Sequence, residues 1–452
     1  MSRIQPARRV AYDVVRAVHA TDAYANLLLP ARLDEARLSE ADAGLATELT
    51  YGTLRRQGYY DRVIELASGR PLAKLDPEVL DALRLGVHQL LGMRVAAHAA
   101  VDESVAQVGA AGKRSATGFA NGVLRTVSRS SPEQWRERVL DGLAGAARLA
   151  LEHAHPLWIV EAFRDALVAE GRADELEALL EADNEPPRVS LVALPGLSTP
   201  DQVGEPGSVS PIAARSAGGD PARNAVVASG RARVQDEGSQ LAALALTRGR
   251  PVVAGERWLD LCSGPGGKAA VLAAEAALGG ATLLANELVP TRARLVRNAL
   301  AVFADPPQVV QGDGRRFGEG EERFDRILLD APCTGLGALR RRPEARWRKQ
   351  PSDVAELTVL QSELLEAAIH ALAPGGLLAY VTCSPHLSET RDVVAGALAR
   401  HPEVSAVDTP AVLASIATRE LELAPGMHAQ LWPQRHGTDA MFIQLLSKRA
   451  DG

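Results

Sequence analysis

Two of the three cysteines in this chain lie in short segments that each follow an apolar run. The first segment is Asp330-Ala-Pro-Cys333 and the second is Thr-Cys383-Ser. A thiolate can act as a nucleophile, and a nearby carboxylate can exchange a proton, so these residue types can carry covalent catalysis. A single buried cysteine is usually an inert core residue. Because two cysteines follow neighbouring predicted strands, we interpret them as parts of one functional site.

A glycine-rich loop follows another apolar run, Trp258–Leu261, and precedes Ala/Leu-rich sequence. This pattern predicts a buried parallel strand, a tight loop and the start of a helix. Gly264, Gly266 and Gly267 let the backbone approach a ligand closely, and the helix start offers free amide groups to a polar or anionic group. We therefore expect a ligand at this loop, the alternative being a glycine-rich turn without one.

The spacing of the loop fits neither of two common nucleotide motifs. The P-loop requires glycine where Cys262 stands and serine or threonine where Ala269 stands. The glycines also do not follow the dinucleotide G-x-G-x-x-G spacing. The loop instead resembles the D-x-x-x-G-P-G-G-K loop of S-adenosylmethionine (SAM) enzymes that methylate C5 of cytosine in RNA. This resemblance implies that the following residues bind SAM: Cys262, Ser263, Gly264, Pro265, Gly266, Gly267 and Lys268.

From residue 235 onward, strand-like and helix-like segments alternate regularly. That order predicts an α/β domain with a doubly wound, mostly parallel, Rossmann-like sheet that binds ligands at the carboxyl ends of its strands. At successive strand ends, Glu287 can accept hydrogen bonds from ribose hydroxyls, Asp313 can meet an adenine amino group, and Asp330 can contribute to the same cofactor site. The predicted strands are Trp258–Leu261, Leu283–Glu287, Gln308–Gln311, Phe324–Leu329, Leu377–Thr382 and Met441–Leu446.

The first 130 residues show helical periodicity throughout. Val10, Val14 and Val18 recur every four residues, and similar stripes follow. The segments that begin at Ala7 (Ala-Arg-Arg-Val) and Phe119 (Phe-Ala-Asn-Gly) resemble a NusB-like RNA-binding bundle, although a generic helical bundle is the alternative. We predict three domains: a NusB-like helical RNA-binding domain at 1–130, a linker with a small α+β domain at 131–234, and a SAM-dependent methyltransferase domain at 235–450.

The composition is that of an ordinary soluble protein. Hydrophobic residues make up 46% and charged residues 23%, and the N-terminus lacks an apolar signal segment, so we expect a cytoplasmic protein without a membrane partner. The 3 cysteines include no C-x-x-C pair and no histidine spacing suited to zinc, which predicts neither a disulfide framework nor a metal site. The net charge of −6 argues against nucleic-acid binding through overall charge.

A local basic segment is nevertheless suited to RNA. It lies between the two cysteine motifs and contains a tryptophan among its arginines. A solvated charged helix is the alternative interpretation. We expect this segment to neutralise RNA phosphates and to stack on a base. The candidate RNA-binding residues are Arg340, Arg341, Arg342, Arg346 and Trp347.

From residue 235 to about residue 446 the chain resembles the RsmB/Sun family of 16S ribosomal RNA cytosine-5 methyltransferases. The Pro-Cys333 and Thr-Cys383 motifs are the most specific part of this resemblance. It implies that SAM is the methyl donor and that the substrate is 16S rRNA or a small-subunit assembly intermediate. It also implies that the Cys383 thiolate adds to C6 of cytosine, that Asp330 hydrogen-bonds or protonates the N3 edge, and that Cys333 assists release. No metal and no DNA partner are expected.

Three other functions compete with this one. In a DNA cytosine-5 methyltransferase the Pro-Cys cysteine is the nucleophile, and a second cysteine at Cys383 is not expected. A NusB-like RNA-binding module with a non-catalytic methyltransferase scaffold would need neither Cys333 nor Cys383. A methyltransferase that acts on cytosine in another RNA, or on a small molecule, is the remaining alternative.

Overall fold

The computed structural model describes residues 4–21 and 23–450. The chain forms two compact units. The N-terminal unit comprises Met1–Glu161, Leu176–Glu185 and Leu339–Arg348. The C-terminal unit comprises Ala162–Glu175, Pro186–Ala338 and Lys349–Gly452.

The α-helices and strands are numbered separately in chain order. The helices are α1 (Pro6–Ala20), α2 (Ala25–Ala36), α3 (Glu40–Arg55), α4 (Gln57–Ser68), α5 (Pro77–Leu91), α6 (Ala97–Ala110), α7 (Thr117–Ser128), α8 (Pro132–Leu140), α9 (Gly145–Glu152), α10 (Leu157–Val168), α11 (Leu176–Ala182), α12 (Pro200–Val203), α13 (Ala225–Ala228), α14 (Glu237–Arg248), α15 (Gly267–Gly279), α16 (Pro290–Leu300), α17 (Ala345–Arg348), α18 (Pro351–Ala371), α19 (Arg391–Arg400), α20 (Thr409–Ile416) and α21 (Pro433–His436). The strands are β1 (Ser190–Ala193), β2 (Glu205–Pro206), β3 (Ala213–Arg215), β4 (Ala232–Val234), β5 (Arg257–Asp260), β6 (Thr282–Asn286), β7 (Gln308–Val310), β8 (Phe324–Asp330), β9 (Leu372–Thr382), β10 (Val404–Ala406), β11 (Ala429–Gln430) and β12 (Phe442–Lys448).

The N-terminal unit is built from amphipathic helices around one apolar core. In α1, Val10, Val14 and Val18 are all buried, because their spacing places them on one face of the helix. Side-chain caps define some of the helix starts. The Ser39 hydroxyl accepts a hydrogen bond from the backbone amide of Asp42 at the start of α3. The predicted all-helical character of this region is therefore confirmed.

The C-terminal unit contains an eight-stranded sheet in the order β10-β12-β9-β8-β5-β6-β7, with β11 paired to β12. The neighbours β9, β8, β5, β6 and β7 run parallel, whereas β12 is antiparallel to β9, β10 and β11. The prediction of a doubly wound, mostly parallel sheet is confirmed. The strands β10 and β11 were not predicted because 3 and 2 residues carry too little periodicity.

Alternate residues of the central strands point to opposite faces of this sheet. Ile327 and Leu329 in β8 and Tyr380 in β9 belong to a core that includes residues of α18 and α19. Leu328 and Ala379, each one position away, belong to a second core that includes residues of α14 and α15. Because both faces are covered by helices, the strands are apolar throughout, and polar groups collect at their ends.

A small antiparallel sheet, in the order β2-β3-β1-β4, belongs to the same C-terminal unit. One of its faces forms a minor core with Leu191 and Ala214. The other face contributes Val192 to the core that includes α14 and α15, so this sheet shares its core with the large one. The helices of the N-terminal unit also extend past the predicted boundary at residue 130. The three-domain boundaries stay a prediction, since the compact units divide the chain differently.

A helix that crosses a bilayer is long and predominantly apolar. Within residues 4–21 and 23–450, no helix combines the length and the apolar character needed to cross a membrane. Helix α18 has 21 residues but carries acidic side chains, including Glu356 and Glu363.

Candidate active site

The glycine-rich loop joins β5 to α15 as predicted, and Gly266 is the N-cap residue of the helix. Gly266 has φ +104°, a left-handed conformation that favours glycine, and a Cβ there would lie 2.7 Å from the Cβ of Ala299. A Cβ at Gly264 would lie 2.1 Å from Oε2 of Glu287. Both positions therefore require glycine, which leaves the backbone of the loop open to a ligand on its free side.

Glu287 lies directly beside this loop and is 4% exposed. Its carboxylate accepts hydrogen bonds of 2.9 Å from the backbone amides of Gly264 and Val289. The guanidinium of Arg292 donates to the carbonyl oxygen of Gly264 at 2.6 Å. The end of β6 and the loop are thus held together, as a ligand that spans both would require.

Asp313 follows the end of β7 and is the N-cap residue of the 3-10 turn Gly314–Gly318. Its carboxylate accepts hydrogen bonds from the side chain of Arg315, at 2.6 Å from Nη2 and 3.0 Å from Nε, and from the Arg315 backbone amide. These hydrogen bonds lower the pKa of Asp313. The expected contact between Asp313 and an adenine amino group stays a prediction, since a carboxylate retains further acceptor sites.

Asp260, the last residue of β5, is the aspartate that begins the D-x-x-x-G-P-G-G-K pattern. It is fully buried, and neither carboxyl oxygen makes a hydrogen bond of normal geometry with the described part of the chain. Burial, followed by the negative charge of Asp330, raises its pKa to about 8. A buried polar group without a partner at the loop fits a polar ligand such as SAM, as do the glycine positions.

The cysteine motifs meet at the carboxyl ends of β8 and β9. These strands are parallel neighbours with Asp330 opposite Val381, and the Ala331 amide donates to the Val381 carbonyl at 2.8 Å. The Sγ atoms of Cys333 and Cys383 lie 3.4 Å apart. The structure thus brings the two predicted catalytic cysteines into direct contact.

Lys268 links the loop to this edge of the sheet. Its Nζ lies 2.8 Å from Oδ2 of Asp330. Burial alone would lower the pKa of Lys268, but the charge of Asp330, its hydrogen bond and the charge of a Cys383 thiolate raise it. The predicted binding of the cofactor by Lys268 stays a prediction, and the structure shows that its ammonium contacts the carboxylate of Asp330.

The three thiols have different surroundings. The pKa of Cys333 is raised by its hydrogen bond with Cys383, by burial and by nearby negative charges that include Glu389 and Asp330. Burial raises the pKa of Cys262, which makes that thiol an inert part of the loop. The sequence analysis did not identify Glu389, which follows Cys383 by six positions. The available signal was a hydroxyl residue directly after each cysteine, Thr334 and Ser384.

The basic segment Leu339–Arg348 belongs to the N-terminal unit, where Arg346 is fully buried. The prediction that Arg346 faces RNA is wrong in this packing, because its guanidinium bonds to backbone carbonyls and to Asn184. The indole of Trp347 donates to a carbonyl at 3.2 Å and packs against Gly58, so it is also committed to this unit. The remaining predicted residues are Arg340, which is buried, Arg341, which is half-buried, and Arg342, which is exposed.

Acidic, cysteine and histidine side chains are the usual metal ligands of proteins. No group of three or more of them within the described ranges, 4–21 and 23–450, is arranged to hold a metal ion. Glu287, Asp330 and Asp313 are instead bound to amides, to Lys268 and to Arg315, respectively.

An open glycine loop before a helix, acids at successive strand ends and a sheet of this topology define a SAM-dependent methyltransferase. The family model described as 16S rRNA methyltransferase RsmB/F matches residues 251–447, and the NusB family model matches residues 5–129. The chain belongs to the RsmB/F family of 16S rRNA methyltransferases, with SAM as methyl donor and a NusB-like N-terminal region. The family and fold predicted from the sequence are therefore confirmed.

Three similar proteins agree with this assignment. The chain is 49% identical over 452 residues to the methyltransferase Rv1407 of Mycobacterium tuberculosis, covering 98% of this chain and 97% of that protein. It is 33% identical over 464 residues to ribosomal RNA small subunit methyltransferase B of Pseudomonas putida, covering 98% of both. The crystal structure of PH0851 has the same fold, with a TM-score of 0.80, 23% identity and 99% of each chain covered.

Proposed function

We propose that this protein forms 5-methylcytosine in 16S rRNA through a covalent bond between Cys383 and C6 of the target cytosine. The observation that carries the proposal is the contact of Cys333 and Cys383 at 3.4 Å, beside the pair of Lys268 and Asp330. The family and the similar rRNA methyltransferase of Pseudomonas putida support the choice of substrate. A free 16S rRNA or a small-subunit assembly intermediate can present the base.

Attack by a thiol explains the need for Cys383. C5 of cytosine is a weak nucleophile, and a thiolate that adds to C6 moves electron density onto C5. The ammonium of Lys268 favours the thiolate of Cys383, since the attraction between the two charges is mutual. The carboxylate of Asp330, held by Lys268, can hydrogen-bond the N3 edge and share the negative charge that develops in the ring. SAM supplies the electrophilic methyl group that C5 receives.

Release requires a second thiol. The C5 proton leaves to water or to another base, the electron pair of the C5–H bond forms the C5–C6 double bond, and the sulfur of Cys383 leaves C6 as a thiolate with the electrons of the C6–S bond. Cys333 is held as a thiol by the groups that raise its pKa, and its sulfur is 3.4 Å from the leaving sulfur. It can therefore donate a hydrogen bond or a proton to Cys383 as that thiolate departs.

The test measures transfer of a labelled methyl group from SAM to 16S rRNA, with denaturing gels to detect protein–RNA adducts. We expect Cys383→Ala to lose activity without an adduct, and Cys333→Ala to accumulate one. Val359→Ala, at an exposed position of α18 outside the cysteine motifs and the glycine-rich loop, is the control. If Cys333→Ala abolishes attack while Cys383→Ala stays active, the nucleophile is misassigned. Absence of SAM binding by the wild type would instead favour a non-catalytic scaffold.

A further inference from the structure

We propose that Glu389 is a positioning residue for this reaction, because its buried carboxylate ties the segment after Cys333 to the segment after Cys383. The inference rests on the proposed function and deepens it. Glu389 ends the short 3-10 turn Leu387–Glu389 and has 0% exposure. It lies outside the cofactor loop and does not contact either sulfur through a hydrogen bond.

The carboxylate oxygens of Glu389 accept hydrogen bonds from uncharged donors. Oε1 accepts from the backbone amide of Thr334 at 2.7 Å and from Nε2 of Gln361 at 3.2 Å. Oε2 accepts from Oγ1 of Thr334 at 2.5 Å and from Oγ of Ser384 at 2.6 Å. Four hydrogen bonds join this fully buried carboxylate to both partner segments, and removing the carboxylate would leave the buried amide of Thr334 without its acceptor.

The hydroxyl donors of this hydrogen-bond network around Glu389 are next to the two cysteines in the chain. Thr334 directly follows Cys333, and Ser384 directly follows Cys383. The two hydroxyls are also 3.1 Å from each other. Each thiol is therefore one residue away from a side chain that is bound to the same carboxylate, so the separation of the two sulfurs depends on Glu389.

Further hydrogen bonds stabilise Glu389 and the segments next to the two cysteines. Nε2 of Gln361 also donates to the carbonyl of Pro332 at 2.8 Å, on the opposite side of Cys333. The hydroxyl of Tyr380 donates to the carbonyl of Glu389 at 2.8 Å. The Gly337 amide donates to the carbonyl of Cys383 at 2.8 Å. Gln361 and Tyr380 belong to α18 and β9, so the scaffold of the sheet fixes Glu389.

The charge of Glu389 gives this residue a second effect on the thiols. The pKa of Cys333 is raised by Cys383 and by burial, and then by the charges of Glu389 and Asp330. Tyr380 also faces this group, and its own pKa is raised by burial. The ammonium of Lys268 interacts instead with the charges of Asp330 and of a Cys383 thiolate, which raise its pKa. The negative charge of Glu389 thus acts on Cys333, whereas the positive charge of Lys268 acts on Cys383. Glu389 thereby favours the protonated form of Cys333 that assists release.

The chemical consequence is a requirement on geometry in both halves of the reaction. Attack needs the Cys383 sulfur aligned with C6, and release needs the Cys333 thiol next to that same sulfur. Displacement of reacting groups by about 1 Å can slow a reaction roughly 100-fold. Removing the carboxylate should therefore lower kcat far more than it changes binding of SAM or RNA.

The first experiment compares Glu389→Gln with the wild type and with Glu356→Gln, a matched control at an exposed position of α18. We expect Glu389→Gln to lower kcat about 100-fold, with KM for rRNA and the Kd for SAM within about twofold, and Glu356→Gln to behave as wild type. An unchanged kcat would overturn the proposal. A loss of SAM binding equal to the loss of kcat would also overturn it, because that pattern indicates general damage.

A second measurement follows the thiols without RNA. The oxidant diamide converts two adjacent thiols to a disulfide, and we expect Glu389→Gln to slow formation of the Cys333–Cys383 bond at least about tenfold when the two proteins are compared at equal thiolate fraction, taken from their alkylation profiles. Alkylation of Cys333 by iodoacetamide should also move to lower pH in this variant. Equal oxidation rates in wild type and variant would count against the positioning role. If the thiol measurements change as expected but wild type transfers no methyl group to rRNA, the proposed function fails and the positioning role stands.

Two milder variants address the case in which Glu389→Gln does not fold. Thr334→Val and Ser384→Ala each remove one hydroxyl from the carboxylate and keep its charge. We expect each to lower kcat about tenfold, and the double variant to lose less than the product of the two effects, because both act through one carboxylate. Full activity of both single variants would contradict the proposal.

Discussion

The ammonium of Lys268 and the carboxylate of Asp330 lie 2.8 Å apart, although one begins a helix after β5 and the other ends β8. Lys268 is the last residue of the glycine-rich motif, and Asp330 opens the motif of Cys333. The pair therefore joins the glycine-rich loop, where we predict that the methyl donor binds, to the Asp330 motif, where we propose that the base binds.

This contact predicts that Lys268→Met lowers kcat about 100-fold or more, since Asp330 loses its cation and Cys383 loses the charge that favours its thiolate. Lys268→Arg should recover part of the activity, because it restores the charge but not the geometry. Steady-state kinetics with labelled SAM measure the effect, and Lys74→Met, at an exposed position, is the control. A change confined to the KM for SAM would show that Lys268 binds the cofactor only.

Asp260 predicts a dependence of stability on pH. Its pKa of about 8 in the folded protein lies above the value of about 3.9 for an unfolded chain. Between these values the folded state holds a proton that the unfolded state lacks, so the contribution of Asp260 to stability is lost as pH rises towards about 8. Asp260→Asn removes this titration.

The measurement is the Tm of wild type and Asp260→Asn at about pH 5 and about pH 9. We expect the variant to gain stability relative to wild type at the higher pH, with a much smaller difference at the lower pH. Tm curves that stay parallel across this range would contradict the assignment. SAM binding by the variant, measured in parallel, reports whether the buried carboxyl also contacts the ligand.

Much of the site could be predicted because the residues involved end parallel strands. Cys333 and Cys383 are 50 residues apart, but the ends of neighbouring parallel strands meet at one edge of a sheet, so their proximity follows from topology. The glycine loop was equally predictable, since a side chain at Gly264 or Gly266 would clash with neighbouring atoms.

Other features depend on tertiary structure that local patterns do not encode. The arginine-rich run around Arg346 has the composition of a solvent-exposed segment, yet it packs in the N-terminal unit, where carbonyl groups receive its donors. The role of Glu389 depends on a hydrogen bond to Thr334, which is 55 residues away. The raised pKa of Asp260 results from burial, which the motif alone does not specify.

The distance between the two catalytic sulfurs predicts selective oxidation. Diamide should take two electrons and two protons from Cys333 and Cys383, forming one disulfide and a hydrazine, because the sulfurs need to move only from 3.4 Å to about 2.05 Å. Methyl transfer should fall in parallel and recover with dithiothreitol. Mass spectrometry of the digested protein identifies the bond. Pairing of Cys262 with either thiol would contradict the geometry of the site.

Arg346 predicts a large loss of stability when its guanidinium is removed. Nη1 and Nη2 donate to the carbonyls of Arg55, Ala154 and Asp183 at 3.1 to 3.2 Å, and these acceptors lie inside the N-terminal unit. Arg346→Met should therefore lower the free energy of unfolding by about 3 kcal/mol, because buried carbonyls lose their donors. Urea unfolding measures the change, with the exposed Arg342→Met as control. Equal stability of the two variants would contradict this account.

Arg341 and Arg342 are the predicted RNA-binding arginines that are not buried. Arg342 is exposed and its guanidinium lies over the ring of Tyr24, 5.5 Å from the centroid, so it can reach a phosphate without breaking the packing of Arg346. Replacing both arginines with glutamine should weaken rRNA binding at low salt. It should also reduce the slope of log K against log salt concentration by about one to two, since each phosphate contact releases counterions. Arg323→Gln with Arg400→Gln, both at exposed positions of the C-terminal unit, is the control pair. If affinity and slope equal those of wild type, this segment does not bind RNA.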